Sequence, residues 1–379
     1  MDSFKITTWN IEHADKLLSA AEDPDDRTRD RARVRLEAVA AEIAALEADV
    51  LLVCEGPSGE ARATEFFARV APGYRLLVRG VDDRDAYGMR GNAASGAQWL
   101  WSLVRGDGFD AQLLHLDRWR TLTERASSGE HQGGRWTVSL PRYVGADTRA
   151  AERLEFDIVR NHQHWRHPQV VQMTIGGQLI EVVNCHLKSK YNRARSRGDP
   201  ASSDFFETNP ALVAALIEAR VKLSTECADI RYYIDARFAE DADAAIIVAG
   251  DLNDGPGKEL VERRFLYHDL IGVLQGDVFF ARRFLNHALF DAPDSERWSV
   301  HFRDRLDPAR NPHILLDHIL FTQSLTTSHL GRKARYVARA GGGRAEHQVH
   351  HRVASSFPRW ASTSDHTPVS MIFDRRREA

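Results

Sequence analysis

Runs of apolar and polar positions change period along the chain. Phe4 to Ile11 reads as a strand. From about Arg31 to Glu47 the apolar residues Leu36, Val39, Ile43 and Leu46 fall on one helical face. Asp49 to Cys54 is a continuous apolar run that ends in Glu55, the pattern of a strand buried on both faces. Gly56-Pro57 then breaks the chain. Between Tyr74 and Val159 the periodicity is weak, with strands expected at Gln98 to Val104, Gln112 to Leu116 and Arg135 to Leu140. Val170 to Ile175 and Leu179 to His186 flank Gly176-Gly177, a strong hairpin signal. Asn209-Pro210 supplies an N-cap and an N1 proline for a helix running to about Phe238.

The second half repeats these signals. Ala244 to Ala249 is an apolar strand that ends in Gly250-Asp251-Leu252-Asn253-Asp254. A short helix is expected from about Lys258 to Phe265, and irregular chain from Asp277 to Pro312. Strands are expected at Ile314 to Phe321 and Pro368 to Phe373, with a Gly-, Arg- and His-rich loop from Gly331 to Arg359 between them. Hairpins and strand–helix–strand units interleave, and no linker separates two cores. This predicts one α/β domain over residues 1–379, with insertions near 74–160, 190–209 and 277–297.

Composition narrows the function. The formal net charge of −3 excludes a globally basic nucleic-acid coat but not a local basic face. No apolar run approaches the roughly 18 residues of a membrane helix, and the N-terminus lacks the apolar segment of a signal peptide. No membrane association is therefore expected, and a cytoplasmic location is the default. Cys54, Cys185 and Cys227 are too few and too widely spaced for a disulfide framework or a cysteine zinc site, so they read as buried small hydrophobes.

The candidate chemistry sits where apolar runs end: Asn10 and Glu12, Glu55, His186, Asp251 and Asn253, Asp317 and His318, Asp365 and His366. Strand ends at one sheet edge are where α/β proteins assemble sites. Carboxylates dominate this set, and hard oxygen ligands suit Mg²⁺ or Mn²⁺. Histidines add proton exchange near neutral pH. No nucleophilic Ser or Cys stands in a motif, so the set describes metal-assisted attack of water on phosphate. His318 alternates with Asp317 and should face away from the site. His162, His164 and His167, and His347, His350 and His351, lack carboxylates or cysteines at metal spacing, so no zinc site is expected there.

The motifs Thr8-Trp9-Asn10-Ile11-Glu12, the strand-terminal Glu55, Asn184-Cys185-His186-Leu187, Gly250-Asp251-Leu252-Asn253, Leu316-Asp317-His318-Ile319-Leu320 and Ser364-Asp365-His366 follow one another in order. In this the chain resembles the endonuclease/exonuclease/phosphatase superfamily, which includes deoxyribonuclease I, exonuclease III, sphingomyelinases and inositol polyphosphate phosphatases. The resemblance implies a four-layer α/β/β/α sandwich of two packed mixed sheets flanked by helices. It implies that Glu55 holds the metal, with Glu12 and Asp365 as further ligands directly or through water. Asp251 would orient or deprotonate the attacking water, and Asn10 and Asn253 would hold phosphate oxygens and that water. His366 would contact phosphate or act as base, with Asp317 fixing its tautomer. His186 would stabilise or protonate the leaving oxygen. Two positions depart from the family pattern. Arg166-His167-Pro168 stands where Arg-Glu-Pro is usual, which puts the orientation of His186 in question. Cys54 stands where a Gln usually precedes the metal Glu.

Two basic stretches lie next to these motifs in sequence. Gly331 to Trp360 holds seven Lys and Arg against the single acid Glu346, and Lys188 to Arg195 follows His186 directly. Lys188, Lys190, Arg193 and Arg344 are therefore candidates for binding a polyanion, and nucleic acid is the expected substrate. No protein partner can be inferred. The reading is a divalent-metal-dependent phosphodiesterase, a nuclease first. The alternatives are a phosphomonoesterase or lipid phosphodiesterase, resembling inositol-phosphate phosphatases or sphingomyelinases, and a catalytically dead nucleic-acid-binding module.

Overall fold

The computed structural model describes residues 1–81, 83–89, 98–114, 119, 137–144, 153–160, 166–190, 194–256, 259–265, 270–328 and 330–376. In chain order the strands are β1 (Ser3–Asn10), β2 (Val50–Gly56), β3 (Tyr74–Leu76), β4 (Trp99–Arg105), β5 (Asp110–Leu113), β6 (Thr137–Val144), β7 (Arg153–Arg160), β8 (Gln169–Ile175), β9 (Gln178–His186), β10 (Ile246–Asp251), β11 (Asn286–His287), β12 (Val300–His301), β13 (His313–Ile314), β14 (Asp317–Phe321), β15 (Tyr336–Ala338), β16 (Arg344–Ala345) and β17 (Val369–Arg375). The helices used below are α1 (Ala14–Ala20), α2 (Asp26–Leu46), α3 (Glu60–Val70), α4 (Pro210–Glu240), α5 (Leu260–Phe265), α6 (Leu270–Gln275) and α7 (His347–Ser356).

Two mixed sheets carry the fold. One has the order β15-β17-β1-β2-β4-β3, with β16 also on β17; the other runs β11-β14-β10-β9-β8-β5. β1 is parallel to β2, and β9 is parallel to β10. The inner faces pack on each other through Phe4, Ile6, Val50, Leu52, Ile180, Val182, Ile247, Ala249, Ile319 and Phe373. The outer face of the first sheet (Trp9, Leu51, Val53) is covered by Leu36, Val39 and Ile43 of α2 and Phe66 of α3. On the second sheet, Val183, Cys185 and Val248 meet Leu223, Ile230, Tyr233 and Ile234 of α4. The expected four layers are present. Each strand residue of this core alternates between the inter-sheet layer and a helix layer, as the two-residue period requires.

Local chemistry explains most element ends. The Asp25 side chain accepts the Thr28 N–H at 2.8 Å and starts α2. Pro210 takes the N1 position of α4. Asn209 does not cap that helix, because its amide is tied to Arg197 and Phe205 instead. α3, with Ala63, Phe66, Phe67 and Val70 buried, goes beyond the sequence reading. Two expected irregular stretches are corrected. Asn286–His287 is an edge strand of the second sheet, and Gly331 to Arg359 contains β15, β16 and α7. All three cysteines are buried and unpaired. No helix among the described residues is long and apolar enough to cross a membrane.

Gly250 is where β9 and β10 come closest. Its φ is +145°, and a Cβ there would lie 1.8 Å from the Cys185 carbonyl oxygen. Neither the backbone conformation nor the space admits a side chain. Gly250→Ala is expected to destabilise the chain by at least about 2 kcal/mol, the scale of overpacking a core, read as a lowered urea midpoint. An unchanged midpoint would refute this account of the β9–β10 contact.

Candidate active site

The inner-face positions of several strands stay on one face as the strands reach the same end of the sandwich, and there they change from apolar to polar. Ile6 leads to Asn10, Val182 to His186 and Ala249 to Asp251, while Asp317 precedes Ile319. Each pair is separated by an even number of residues, so its members share a face. β14 and β17 run antiparallel to their neighbours, so Asp317 at the start of β14 and His366 just before β17 reach the same end.

Glu55 does not follow this parity. It lies two residues beyond Val53, which faces the helices. A register shift between Val53 and Gly56, together with φ of +59° at Glu55, re-aims its side chain. Glu55 Oε1 thereby lies 3.4 Å from the Asn10 amide nitrogen.

Asn10 joins the sheets. Its Nδ2 donates to Asp251 Oδ2 at 3.0 Å. Asp251 Oδ1 accepts the Asn253 N–H at 2.9 Å, and Asn253 Nδ2 donates to the Leu187 carbonyl at 3.0 Å. Asn253 holds φ of +53°, which folds the turn back on Asp251. His186 Nε2 lies 3.6 Å and His366 Nε2 4.0 Å from Asp251 Oδ2. His366 Nδ1 is 2.7 Å from Asp317 Oδ2. Ser364 Oγ accepts the His366 N–H and donates to the Asn10 carbonyl, and Trp9 Nε1 donates to the His366 carbonyl.

Burial and charge set the protonation states. Burial opposes a charge on His366, but the Asp317 carboxylate bonded to it, with Asp251 and Asp365 nearby, raises its pKa to about 10. Burial lifts Asp251 to about 7; His366 works against the rise and Asp317 adds to it. His186 is held well below 6.5 by burial and by the neighbouring Arg166 guanidinium, so it is neutral. Glu55 is charged. Burial works against that, but the hydrogen bond from His13 holds the carboxyl well below its ordinary range.

Not every candidate joins the cluster. Glu12 is ion-paired to Arg35 at 3.0 Å. Asp365 is 65% exposed, with Oδ1 3.9 Å from His366 Nε2. Lys190 is enclosed by Asp254, by Glu259 at 3.1 Å and by Glu262 at 3.2 Å. The Lys188 backbone donates to Glu226 at 2.6 Å, and Arg344 pairs with Glu346 at 2.9 Å. Arg193 lies outside the described residues. His318 turns away from Asp317, as alternation predicts, and its imidazole meets the Asp254 carbonyl and His287. His347 and His350 go to different partners, the Glu296 carbonyl and Glu42.

Three residues contribute in ways that the sequence reading did not assign. His13 donates its backbone N–H to Glu55 Oε2 at 3.0 Å, and its Nδ1 lies 2.9 Å from the same oxygen. The strand period stops before His13, which has φ of +56°, so no pattern marked it. Arg166 holds the carbonyls of His186 and Leu187 through its guanidinium. It therefore fixes the His186 backbone, while His186 Nδ1 meets no hydrogen-bond partner among the described residues. Cys54, in place of the usual Gln, donates Sγ–H to the Cys185 carbonyl at 3.3 Å and so also ties one sheet to the other.

By donor type three places could hold a metal among the described residues; one of them, Asp254, Glu259 and Glu262, already encloses the Lys190 ammonium. Asp251, Asp317 and His366 offer ligand atoms within 4.8 Å of one another. Asp251 and Asp317 are almost fully buried, and Mg²⁺ keeps several of its waters. The Glu55 side suits a hydrated hard cation better. Its carboxylate is charged, His13 occupies only Oε2, and Oε1 faces the site beside Asn10.

The sequence matches no family model and no curated protein. Among solved structures, the chain is similar to an endonuclease/exonuclease/phosphatase from Bacteroides vulgatus, with TM-score 0.49 and 13% identity over 99% of this chain and 100% of that one. It is similar to truncated Caenorhabditis elegans TDP2, with TM-score 0.46 and 13% identity over 98% of each chain. It is also similar to D. rerio TDP2 complexed with single strand DNA product, with TM-score 0.44 and 13% identity over 98% and 99%.

The Asp317–His366 pair has a pH signature. A histidine pKa raised from 6.5 to about 10 adds stability that is fully present below about 6.5 and lost as pH rises through about 10. NMR titration of labelled imidazoles should find one group protonated well above pH 8. Asp317→Asn, which removes the partner charge, should bring that titration down by at least about one unit, the effect of one nearby carboxylate. A histidine spectrum that Asp317→Asn leaves unmoved would disprove the pairing.

Proposed function

We propose that the chain is a divalent-metal-dependent phosphodiesterase and that its substrate is a nucleic acid. One observation carries the reading. A carboxylate poised near neutrality (Asp251), a protonated imidazole locked by a buried carboxylate (His366–Asp317) and a neutral imidazole (His186) converge beside the charged Glu55 carboxylate. This group can take a proton from water, present positive charge to phosphoryl oxygens and donate to a leaving oxygen. It contains no side-chain nucleophile.

In this reading Asp251 accepts the proton of the attacking water as the water oxygen bonds to phosphorus. Asn10 and the Asn253 N–H fix both carboxylate oxygens, so Asp251 cannot turn away. His366 donates its Nε2 proton as a hydrogen bond to a non-bridging phosphoryl oxygen, and Asp317 keeps that proton on the ring. His186 donates its Nε2–H as a hydrogen bond to the leaving oxygen as the bond from phosphorus breaks, and the leaving alkoxide takes its proton from solvent water. Glu55 would hold Mg²⁺ or Mn²⁺, with Asp365 at the exposed rim. Glu12 would first have to release Arg35. A bound cation would supply Lewis-acid stabilisation of the charge that builds on the phosphoryl oxygens.

The test is cleavage of end-labelled single- and double-stranded DNA and RNA with Mg²⁺, Mn²⁺ or EDTA. Cutting should require the metal, and Asp251→Asn should lower kcat by roughly 10²–10⁴-fold, the range for losing a general base. Phosphoryl oxygens need protonated His366 and water needs ionised Asp251, so the rate should rise through about pH 7 and fall through about pH 10. A folded, metal-loaded protein that cuts no polynucleotide would refute the nuclease reading. Turnover of phosphorylated small molecules or lipids by the same preparation would redirect the substrate and keep the chemistry.

A further inference from the structure

Two of the cations expected to meet a polyanion are already paired with acids: Lys190 with three carboxylates and Arg344 with Glu346. Beside His366, however, stands a hairpin built from β12 and β13. Val300 bridges His366, and Thr367 donates its N–H to the Ser299 carbonyl at 2.7 Å. The Ser299 hydroxyl accepts the Asp317 N–H at 3.1 Å. The hairpin is therefore bonded to both members of the Asp317–His366 pair.

Its tip presents His301, Phe302, Arg303 and Arg305, all exposed. Phe302 is 51% exposed, a large aromatic ring left in solvent. It lies two residues beyond Val300, so it falls on the ladder face that Val300 shares with His366, about 7 Å along the strand. Arg303 and Arg305 form no ion pair among the described residues, while the intervening Asp304 accepts the Leu306 N–H within its own turn. The hairpin is also braced. Arg310 pairs with Glu259, Asp307 pairs with Arg263, and Trp298 stacks between His313 and His347 with ring centroids 4.3 and 4.0 Å away.

We propose that this hairpin is a platform for an unpaired nucleic-acid strand, with Phe302 stacking on a base next to the reacting phosphate and Arg303 and Arg305 contacting flanking phosphates. The proposal rests on the nuclease reading above. A ring about 7 Å along the strand from the His366 bridge is offset by about two base rises of roughly 3.4 Å each, within reach of a base beside the reacting phosphate. Stacking needs an open base face, which a duplex interior does not offer, and it tolerates any base. The hairpin therefore selects single-stranded or frayed substrate without reading sequence.

The test measures binding and turnover separately. Binding is read as fluorescence anisotropy of a labelled single-stranded oligonucleotide and of its duplex, in the full chain carrying Asp251→Asn. Turnover is read with bis(p-nitrophenyl) phosphate, which has no bases, in the chain with Asp251 intact. Phe302→Ala should weaken single-strand binding by roughly fivefold or more, the lower end for losing one base stack, and Phe302→Trp should restore it. Replacing both Arg303 and Arg305 with Ala should flatten the salt dependence of log Kd by about 1.4, at roughly 0.7 per single-strand phosphate contact. Leu330→Ala, at the other end of the sandwich, is the surface control. Equal binding by Phe302→Ala and the control, or tighter binding of duplex than of single strand, would overturn the proposal. Ester turnover without oligonucleotide binding would sink the hairpin and leave the phosphodiesterase chemistry standing. Phe302-dependent binding without ester turnover would do the reverse.

Discussion

The Asn10–Asp251 hydrogen bond is the contact on which the site depends, because it joins the ends of the two sheets at the point where the carboxylates and imidazoles converge. A carboxylate at this depth is costly unless its oxygens are satisfied. Asp251 has one oxygen on the Asn10 amide and the other on the Asn253 N–H, with two imidazoles beyond. Asn10 can reach it only because both residues continue the inner face of their strands. Cys54 and Ser364 add bonds at the same end, so the polar cap closes the core as well as forming the site.

That geometry has an electrostatic consequence. Asp317 is fully buried and its bond to His366 makes the imidazolium the stable form, which places a lasting positive charge near Asp251. Burial raises Asp251 while His366 restrains the rise, so the carboxyl sits near neutrality. His186, equally buried but without a carboxylate on Nδ1, goes the other way and stays neutral. Two histidines of similar burial thus take different protonation states because only His366 has a carboxylate hydrogen-bonded to Nδ1, while His186 lies beside the Arg166 guanidinium. Backbone strain gathers at the same end: Glu12, His13, Glu55 and Asn253 all have positive φ, a cost that a packed scaffold can hold where a site needs it.

Much of this was legible in the sequence for a simple reason. Inner-face alternation carries Asn10, His186, Asp251 and Asp317 to one place, and alternation can be read without coordinates. Where local geometry breaks the period, the sequence carried less. Parity alone would turn Glu55 toward the helices, and only the bulge brings it back. Glu12 and His13 take two consecutive left-handed steps that no periodicity encodes. α3 has its apolar stripe at Ala63, Phe66, Phe67 and Val70, directly after the Gly56-Pro57 break, where a single short run of helical period stands beside strong turn signals. The basic runs misled because formal charge says nothing about partners. Lys190 sits among three acids that lie 64 to 72 positions away in the chain.

Those acids explain why a local cation count is a poor guide here. Lys190, Arg220 and Arg310 face Asp254, Glu259 and Glu262, a balanced set in which burial makes each pairing necessary. The set draws on the loop after β9, the helix α4, the turn after β10, the approach to α5 and the β12–β13 hairpin. Glu259 is the shared member, since Lys190, Arg220 and Arg310 all reach it. Asp254 closes the turn that carries Asp251, and Arg310 belongs to the hairpin that carries Phe302. One neutral network therefore braces both Asp251 and the neighbouring exposed aromatic. Its lysine is thereby committed to holding the geometry, and the proposed contacts with substrate phosphates fall to Arg303 and Arg305, which have no acid partner among the described residues.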